Sequence, residues 1–170
     1  MLARNETIFK WALYAGATAV FFLLLGALLQ RITLWGVIPF VFPILVAVLG
    51  MYEGPLPASV YALTVGVLCD LLLPASIPCF YTLIFPAAGL CAALISQSLL
   101  PAGFLCGVVT SVLSFLLTDA FHCVVLWAGG KAAWAAGAQV FLREVCVSIL
   151  LVVPVVLLFS AVFRRTHLDD

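Results

Sequence analysis

Charged residues are scarce in this sequence: only 8% of its 170 residues are Asp, Glu, Lys or Arg, whereas 66% are hydrophobic. A water-soluble domain covers its surface with about 25–35% charged residues, so the composition excludes a soluble globular class. Acidic and basic residues also balance, which gives a formal net charge of zero. Binding of nucleic acid needs a basic face, and this chain has no surplus of basic residues from which to build one.

Motifs that carry enzyme chemistry are missing as well. The sequence has no serine nucleophile elbow, no His-Glu-x-x-His zinc motif and no phosphate-binding loop, and one of its only two histidines is in the C-terminal tail (His167). The six cysteines stand singly in apolar segments, which is typical of small buried hydrophobic side chains. We therefore predict a protein that is not an enzyme and has no catalytic residue and no cofactor.

Long apolar runs are the main feature of the chain. A helix needs about 20 apolar residues to cross a hydrocarbon core of about 30 Å. We predict an all-α polytopic membrane protein with one domain, residues 1–170, no soluble module, and six transmembrane helices in one bundle. The predicted spans are about 11–29, 35–51, 58–73, 80–99, 101–127 and 140–163, with residues 128–139 as the longest loop.

The second predicted span is short and contains Pro39 and Pro43, so it is expected to be kinked or only partly inserted. If it does not cross, five spans remain. With six spans both termini lie on one side, and cytoplasmic segments carry an excess of Lys and Arg. We predict that both termini are cytoplasmic, because that side collects Arg4, Lys10, Arg164 and Arg165, against Arg31 and Lys131 on the other.

The third predicted span carries an acid at the end of a ridge of small residues. Ala58, Ala62, Gly66 and Asp70 are spaced by four, so they stack on one face of a helix. Small residues let a neighbouring helix approach closely, and a carboxylate that faces lipid is costly, so this face is predicted to contact protein. Two interpretations are open: a packing seam whose acid forms local hydrogen bonds, or an acid with a direct functional role.

The fifth predicted span repeats this arrangement, because Gly103, Gly107 and Ser111 lead at the same spacing to Asp119. In the predicted topology four charged residues then lie in the outer half of the membrane: Asp70, Asp119, Arg143 and Glu144.

We predict that these four charges form a clasp between the third, fifth and sixth spans, with Asp70 paired to Arg143. An arginine can satisfy a carboxylate with two parallel hydrogen bonds, which lowers the cost of burying both. Asp119 and Glu144 are rival partners of the arginine. A ligand or proton site built from the same residues is the alternative. A metal site would add His122, but the spacing matches no known zinc signature, so none is predicted.

Three short segments of the chain resemble one known family. Leu-Leu-Gly26-Ala-Leu-Leu-Gln30 closes the first span, Gly66-Val-Leu-Cys-Asp70-Leu-Leu lies in the third, and Leu113-Ser-Phe-Leu-Leu-Thr-Asp119 lies in the fifth. Together with the chain length and the number of spans, these segments resemble MreD, the rod shape-determining membrane protein of bacteria. The resemblance covers most of the chain but not the Ala-rich segment 128–139.

The resemblance implies a non-enzymatic component of the bacterial elongation machinery, in the cytoplasmic (inner) membrane. MreD-like proteins associate with an MreC-like single-span membrane protein and, through it, with MreB-like cytoskeleton and the cell-wall polymerase and transpeptidase. Helices in lipid associate by close packing over small residues. The partner helix is therefore expected to dock on the small residues of the first helix, at Ala12, Ala15, Gly16 and Ala19.

The fold of that family is thought to be similar to the substrate-binding (S) subunits of energy-coupling-factor vitamin transporters, which makes such a subunit the alternative function. That subunit would line an outward pocket with polar and aromatic loop residues, and this chain has few polar ones: Arg31, Thr33, Lys131 and Gln139. A small proton-coupled carrier is a third class. It would need a path past Asp70 or Asp119, which the sequence does not show.

Overall fold

A computed structural model describes residues 2–27, 36–73, 77–131 and 134–166. Within these ranges the chain is helical and contains no strand, so the predicted all-α class is confirmed. The helices are α1 (Leu2–Ala27), α2 (Phe42–Glu53), α3 (Pro55–Leu72), α4 (Phe80–Ser98), α5 (Phe104–Ala128), α6 (Trp134–Ser148) and α7 (Val152–Thr166). A 3-10 turn, Ile149–Leu151, joins α6 directly to α7.

Four of these helical segments are long and apolar enough to cross a membrane: Pro55–Leu72, Phe80–Ser98, Phe104–Ala128 and the continuous Gly137–Thr166. Two further apolar helical segments, Ile8–Leu24 and Phe42–Glu53, are shorter. Structure and composition therefore both indicate a membrane-embedded helical protein. Six crossings remain a prediction.

Helix α2 forms the centre of the bundle. Every residue from Phe42 to Met51 is buried, because α3, α4, α5 and α7 all pack against this helix. A helix that is apolar on all sides is expected to be buried in this way. Its 12 residues cover about 18 Å at 1.5 Å per residue, and a non-helical stretch, residues 36–41, precedes it. The predicted second span is thus a short helix enclosed by the rest of the protein.

Proline and glycine set the ends of α2 rather than bending it. Pro43 lies in the first turn, where its missing N–H would have had no partner within the helix. Gly54 ends the helix with a φ of +83°, in the left-handed region that glycine adopts without a steric penalty. Pro55 then begins α3 at once. The predicted kink is therefore wrong within the described helix, and α2 and α3 form a tight helical hairpin.

The predicted loop at 128–139 is also wrong in its second half, because α6 begins at Trp134. The Gly and Ala content of this segment favours a loop, because glycine destabilises a helix. Alanine is the best helix former, and Ala135, Ala136 and Ala138 extend α6 by more than a turn before the first long apolar run.

The first and last helices meet α2 at the same end of the bundle. The Lys10 ammonium of α1 contacts the Glu53 carboxylate, and the ring of Tyr52 lies 5.2 Å from that of Phe163 near the end of α7. We call this the terminal end. An even number of crossings would give this arrangement. The opposite end is where α3 ends and α4 begins.

Candidate functional site

The first ridge of small residues lies where α3 packs against α4. Ala58 and Ala62 are fully buried, and a Cβ added to Gly89 of α4 would lie 3.3 Å from the Ala62 Cβ. Gly66 allows an even closer approach, because a Cβ added there would lie 2.7 Å from the carbonyl oxygen of Tyr81. The backbones of α3 and α4 therefore touch along this ridge, which leaves no room for larger side chains.

Asp70, at the end of that ridge, caps the N-terminus of α4. One carboxylate oxygen accepts a hydrogen bond from the Tyr81 N–H at 3.0 Å. The other accepts one from the Thr82 N–H at 2.9 Å and one from the Thr82 hydroxyl at 2.6 Å. The N–H groups of a first helical turn lack partners within the helix and carry the positive end of its dipole. A carboxylate stabilises them both by accepting their hydrogen bonds and by its negative charge. The geometry thus shows local hydrogen bonding by the acid.

The predicted ion pair between Asp70 and Arg143 is not formed. Both oxygens of Asp70 are bonded to α4, and Arg143 is exposed on α6. Among the side chains that the structure describes, the ion pair is Lys10–Glu53, at the terminal end. The N–H groups at the N-terminus of α4 compete with an arginine for the same carboxylate, and here they satisfy both of its oxygens.

The small residues of the second ridge, which is the one in the fifth predicted span, lie in different surroundings. Gly107 lies against α7, where an added Cβ would be 2.8 Å from Cγ2 of Val156. Ser111 is buried, and its hydroxyl has no hydrogen-bond partner within the described ranges. Gly103 precedes α5 as its N-cap residue and is not helical. This ridge therefore provides one close approach, at Gly107.

Asp119 and Glu144, the other two acids of the predicted cluster, line one cavity at the opposite end. The cavity has a volume of about 490 Å³ and lies between the start of α4, the second half of α5 and the middle of α6. His122 lines it one turn beyond Asp119. The predicted group of four charges is thus split: two of its acids share this cavity, while the remaining acid and the arginine lie elsewhere.

The non-helical stretch before α2 closes one side of this cavity through Ile38, Pro39 and Phe40. The Phe40 N–H donates a hydrogen bond to the Ser148 hydroxyl at 3.1 Å, so this backbone donor is satisfied away from water. Non-helical backbone at membrane depth is tolerated where it is covered by protein or lines a cavity. Both conditions hold for this stretch.

A charged cluster at the terminal end was not predicted. The Nζ atom of Lys10 lies 2.5 Å from Oε2 of Glu53, and the Tyr14 hydroxyl donates to Oε1 at 2.9 Å. The Glu53 side chain is only 4% exposed, so this carboxylate is buried with both oxygens bonded. The sequence does contain a signal for the pair, because Lys10 precedes the first predicted span and Glu53 follows the second, which places both charges on the side of the termini.

An apolar groove with a volume of about 770 Å³ lies between α1 and α3. Ala15 and Ala19 of α1 line one wall, and Val60 and Leu68 of α3 line the other. A Cβ added to Gly16 would meet no described atom within 4 Å. All four residues of the predicted partner surface are exposed: Ala12, Ala15, Gly16 and Ala19.

Three hydroxyl groups lie in the lining of this groove, and each has a partner within the protein: that of Thr64 donates to the Tyr61 carbonyl at 2.7 Å. The Thr18 hydroxyl donates to the Tyr14 carbonyl at 2.7 Å and lies 2.5 Å from the Tyr61 hydroxyl. With its own proton already used, Thr18 is the acceptor in the second bond. These groups therefore need no hydrogen bond from an occupant of the groove.

Comparison with known proteins finds no matching family model, no matching curated protein and no matching solved structure. The relation to MreD is therefore a resemblance of short segments, and a function has to be argued from the groove, the cavity and the packing described above.

Asp70→Asn is expected to lower the amount of folded protein, because it removes the negative charge and one acceptor from the N-terminus of α4. A negative charge at a helix N-terminus contributes about 0.3–1 kcal/mol, and the amide nitrogen of Asn cannot replace the lost acceptor. Arg143→Gln, at an exposed position, should have no effect, and the double variant should behave like Asp70→Asn alone. Fluorescence-detected size-exclusion chromatography of solubilised membranes measures all three. Recovery in the double variant would instead show that the arginine interacts with Asp70.

Proposed function

We propose that this chain is a non-enzymatic component of a bacterial cell-elongation complex, and that it holds the membrane helix of an MreC-like single-span partner in the groove between α1 and α3. Through that partner it helps to organise peptidoglycan synthesis together with an MreB-like cytoskeleton and the cell-wall polymerase and transpeptidase. The observation that supports this proposal is the apolar groove, which is open and lined by small residues on one wall. The MreD-like segments of the sequence supply the class of partner.

The lining of the groove suits a helix better than a polar ligand. Its hydroxyl groups already have hydrogen-bond partners within the protein, and its walls are otherwise almost wholly apolar. Lipid tails solvate apolar side chains as well as another helix does, so helices in a bilayer associate where small residues let backbones approach. Ala15 and Ala19 provide that approach on one wall, and the larger Val60 and Leu68 give the facing wall ridges against which a helix can pack.

The position of α1 keeps the groove accessible. This helix packs mainly along α7 and is tied to α2 by the Lys10–Glu53 pair. Its face toward α3 is left open to the bilayer, with Ala15 and Ala19 exposed on it. A partner helix can therefore enter sideways from the lipid without any rearrangement of the other helices.

The proposed orientation puts the terminal end in the cytoplasm. Four of the seven basic residues of the chain lie near its two termini: Arg4, Lys10, Arg164 and Arg165. Membrane proteins retain such segments on the cytoplasmic side. This bias and the shared end of α1 and α7 support the proposal that both termini are inside, and the resemblance to MreD supports the bacterial inner membrane as the location of this multi-pass protein.

Ala15→Leu with Ala19→Leu should reduce the partner that co-purifies from membranes by about tenfold or more, because two added isobutyl groups hold the helix backbones apart. The experiment uses tagged full-length protein co-expressed with an MreC-like protein from the same genome. Ala87→Leu with Ala120→Leu is the matched control, since both alanines are exposed outside the groove. Equal recovery from the two double variants would rule out the groove as the docking surface.

A substrate-binding subunit of an energy-coupling-factor transporter is the second candidate. The cavity favours it, because Phe40, Tyr81, Asp119 and Glu144 supply aromatic and polar groups that a small substrate could contact. The two functions predict different companions. Co-purification with transporter ATPase subunits, in place of an MreC-like protein, would select the second.

A further inference from the structure

The cavity at the opposite end is lined by acidic side chains, which the lining of the groove does not contain. Its volume of about 490 Å³ is within the range of about 300–1,000 Å³ typical of small-molecule sites. The carboxylates of Asp119 and Glu144 share this lining with the aromatic rings of Phe40, Phe80 and Tyr81. Acidic and aromatic groups are thus concentrated in one cavity, next to the non-helical stretch that precedes the central helix α2.

Within the described ranges no lysine or arginine side chain lines the cavity, and one imidazole, that of His122, cannot neutralise two carboxylates. Oδ2 of Asp119 is fully enclosed and accepts no hydrogen bond from any residue in the described ranges. The carboxylates of Asp70 and Glu53, in contrast, have both oxygens bonded. Arg143, next to Glu144 in sequence, is exposed on α6. Acids at membrane depth are costly when unpaired, so this pair points to a cation that is supplied from outside the chain.

The rings beside the acids provide a second attraction for a cation. Phe80 and Tyr81 meet nearly edge to face, with centroids 5.0 Å apart, and the Tyr81 ring lies 5.7 Å from that of Phe40. The negative face of an aromatic ring attracts ammonium groups, most strongly where water is excluded. A cation that carries apolar substituents can therefore satisfy the acids while its substituents pack against these rings.

A bare metal ion suits the cavity less well. Within the described ranges, no group of three or more His, Cys, Asp or Glu side chains is placed to hold one. The volume is also far larger than an ion needs. We propose that the cavity binds a small organic cation, a protonated amine or a quaternary ammonium, through Asp119 and Glu144. This proposal does not rest on the helix-binding function of the groove, and it concerns the cavity that also favours the second candidate function.

The ammonium group can belong to a free molecule or to a phosphatidylethanolamine headgroup, and two measurements separate these sources. Butylammonium and tetramethylammonium are titrated into purified full-length protein in maltoside micelles while the thermal midpoint is followed, with 1-butanol and butyrate as neutral and anionic controls. Native mass spectrometry compares retention of phosphatidylethanolamine with that of phosphatidylglycerol. Saturable stabilisation by the ammonium probes alone supports a free amine, and selective retention of phosphatidylethanolamine supports the headgroup. Failure of both overturns the proposal.

Variants test whether the cation sits in this cavity. Asp119→Asn with Glu144→Gln should weaken ammonium binding or headgroup retention by about tenfold, a change of about 1.4 kcal/mol, and Arg143→Gln, at the exposed neighbour, should not weaken it. Unchanged binding in the double variant overturns the proposal. If that variant does not fold, Val140→Trp narrows the cavity and keeps both acids, and binding that is unaltered by this change likewise overturns it.

Discussion

Lys10→Met is expected to remove most of the folded protein from the membrane, because it leaves the Glu53 carboxylate buried without its counter-ion. That side chain is 4% exposed, so water cannot take the place of the ammonium group. Removing one partner of a buried ion pair costs about 3–5 kcal/mol. The Tyr14 hydroxyl still donates one hydrogen bond but cannot neutralise the charge. Fluorescence-detected size-exclusion chromatography measures the folded amount, and a thermal melt in detergent measures its stability.

Lys131→Met is the matched control, since it makes the same change at an exposed lysine after α5 and should be neutral. Lys10→Met with Glu53→Gln should recover part of the loss, because no unpaired charge then remains in the site. Equal stability of Lys10→Met and Lys131→Met would show that the pair does not hold α1 against α2.

Apolar runs bounded by Pro and Gly predicted several helices well. The predicted spans 58–73 and 80–99 correspond to α3 and α4, and each helix ends one residue before its predicted end. The break between α2 and α3 comes from local backbone chemistry, since Gly54 and the prolines that follow it restrict the chain whatever it packs against. The start of α6 is harder to predict, because the glycines of segment 128–139 favour a loop and its alanines favour a helix. Tertiary contacts decide between the two, and these are not local in the sequence.

Partners of the polar residues were much harder to predict. Asp70 was recognised as an acid that should face protein, and it does, but it bonds to backbone N–H groups of Tyr81 and Thr82. Every helix N-terminus offers such donors whatever its residues are, so no particular residue type in the sequence marks them as a partner. A charged side chain does leave such a mark, so the sequence favours Arg143 as the partner of Asp70, whereas the position of Glu53 next to a turn does not indicate that its carboxylate is buried.

The central place of α2 could not be read from its hydropathy. Lipid and protein interior are both apolar, so the run from Phe42 to Met51 is equally compatible with a lipid-facing span and with burial on every side. Its short length favours partial insertion when the sequence is considered alone. In the structure four helices surround α2, and a helix enclosed in this way can be short, because the chain can continue as non-helical backbone at membrane depth. The cavity that holds Asp119 lies against that non-helical stretch, so its existence was hidden from the sequence as well.

Gly66→Ala is expected to be nearly as damaging as Lys10→Met, although it adds a single methyl group. The new Cβ would lie 2.7 Å from the Tyr81 carbonyl oxygen and 2.8 Å from the Thr82 Cα, and neither backbone atom can rotate away. Helices α3 and α4 must separate at the turn that Asp70 caps, so the clash also disturbs the cap.

Overpacking of this kind costs about 1–3 kcal/mol, and the weakened cap adds to that loss. Gly16→Ala is the matched control, because its Cβ would meet no described atom and alanine favours a helix more than glycine does. Thermal melts of the two variants in the same detergent should therefore move in opposite directions from wild type. A Gly66→Ala protein that melts with wild type would mean that α3 and α4 do not approach at backbone contact, and that the first ridge does not set their spacing.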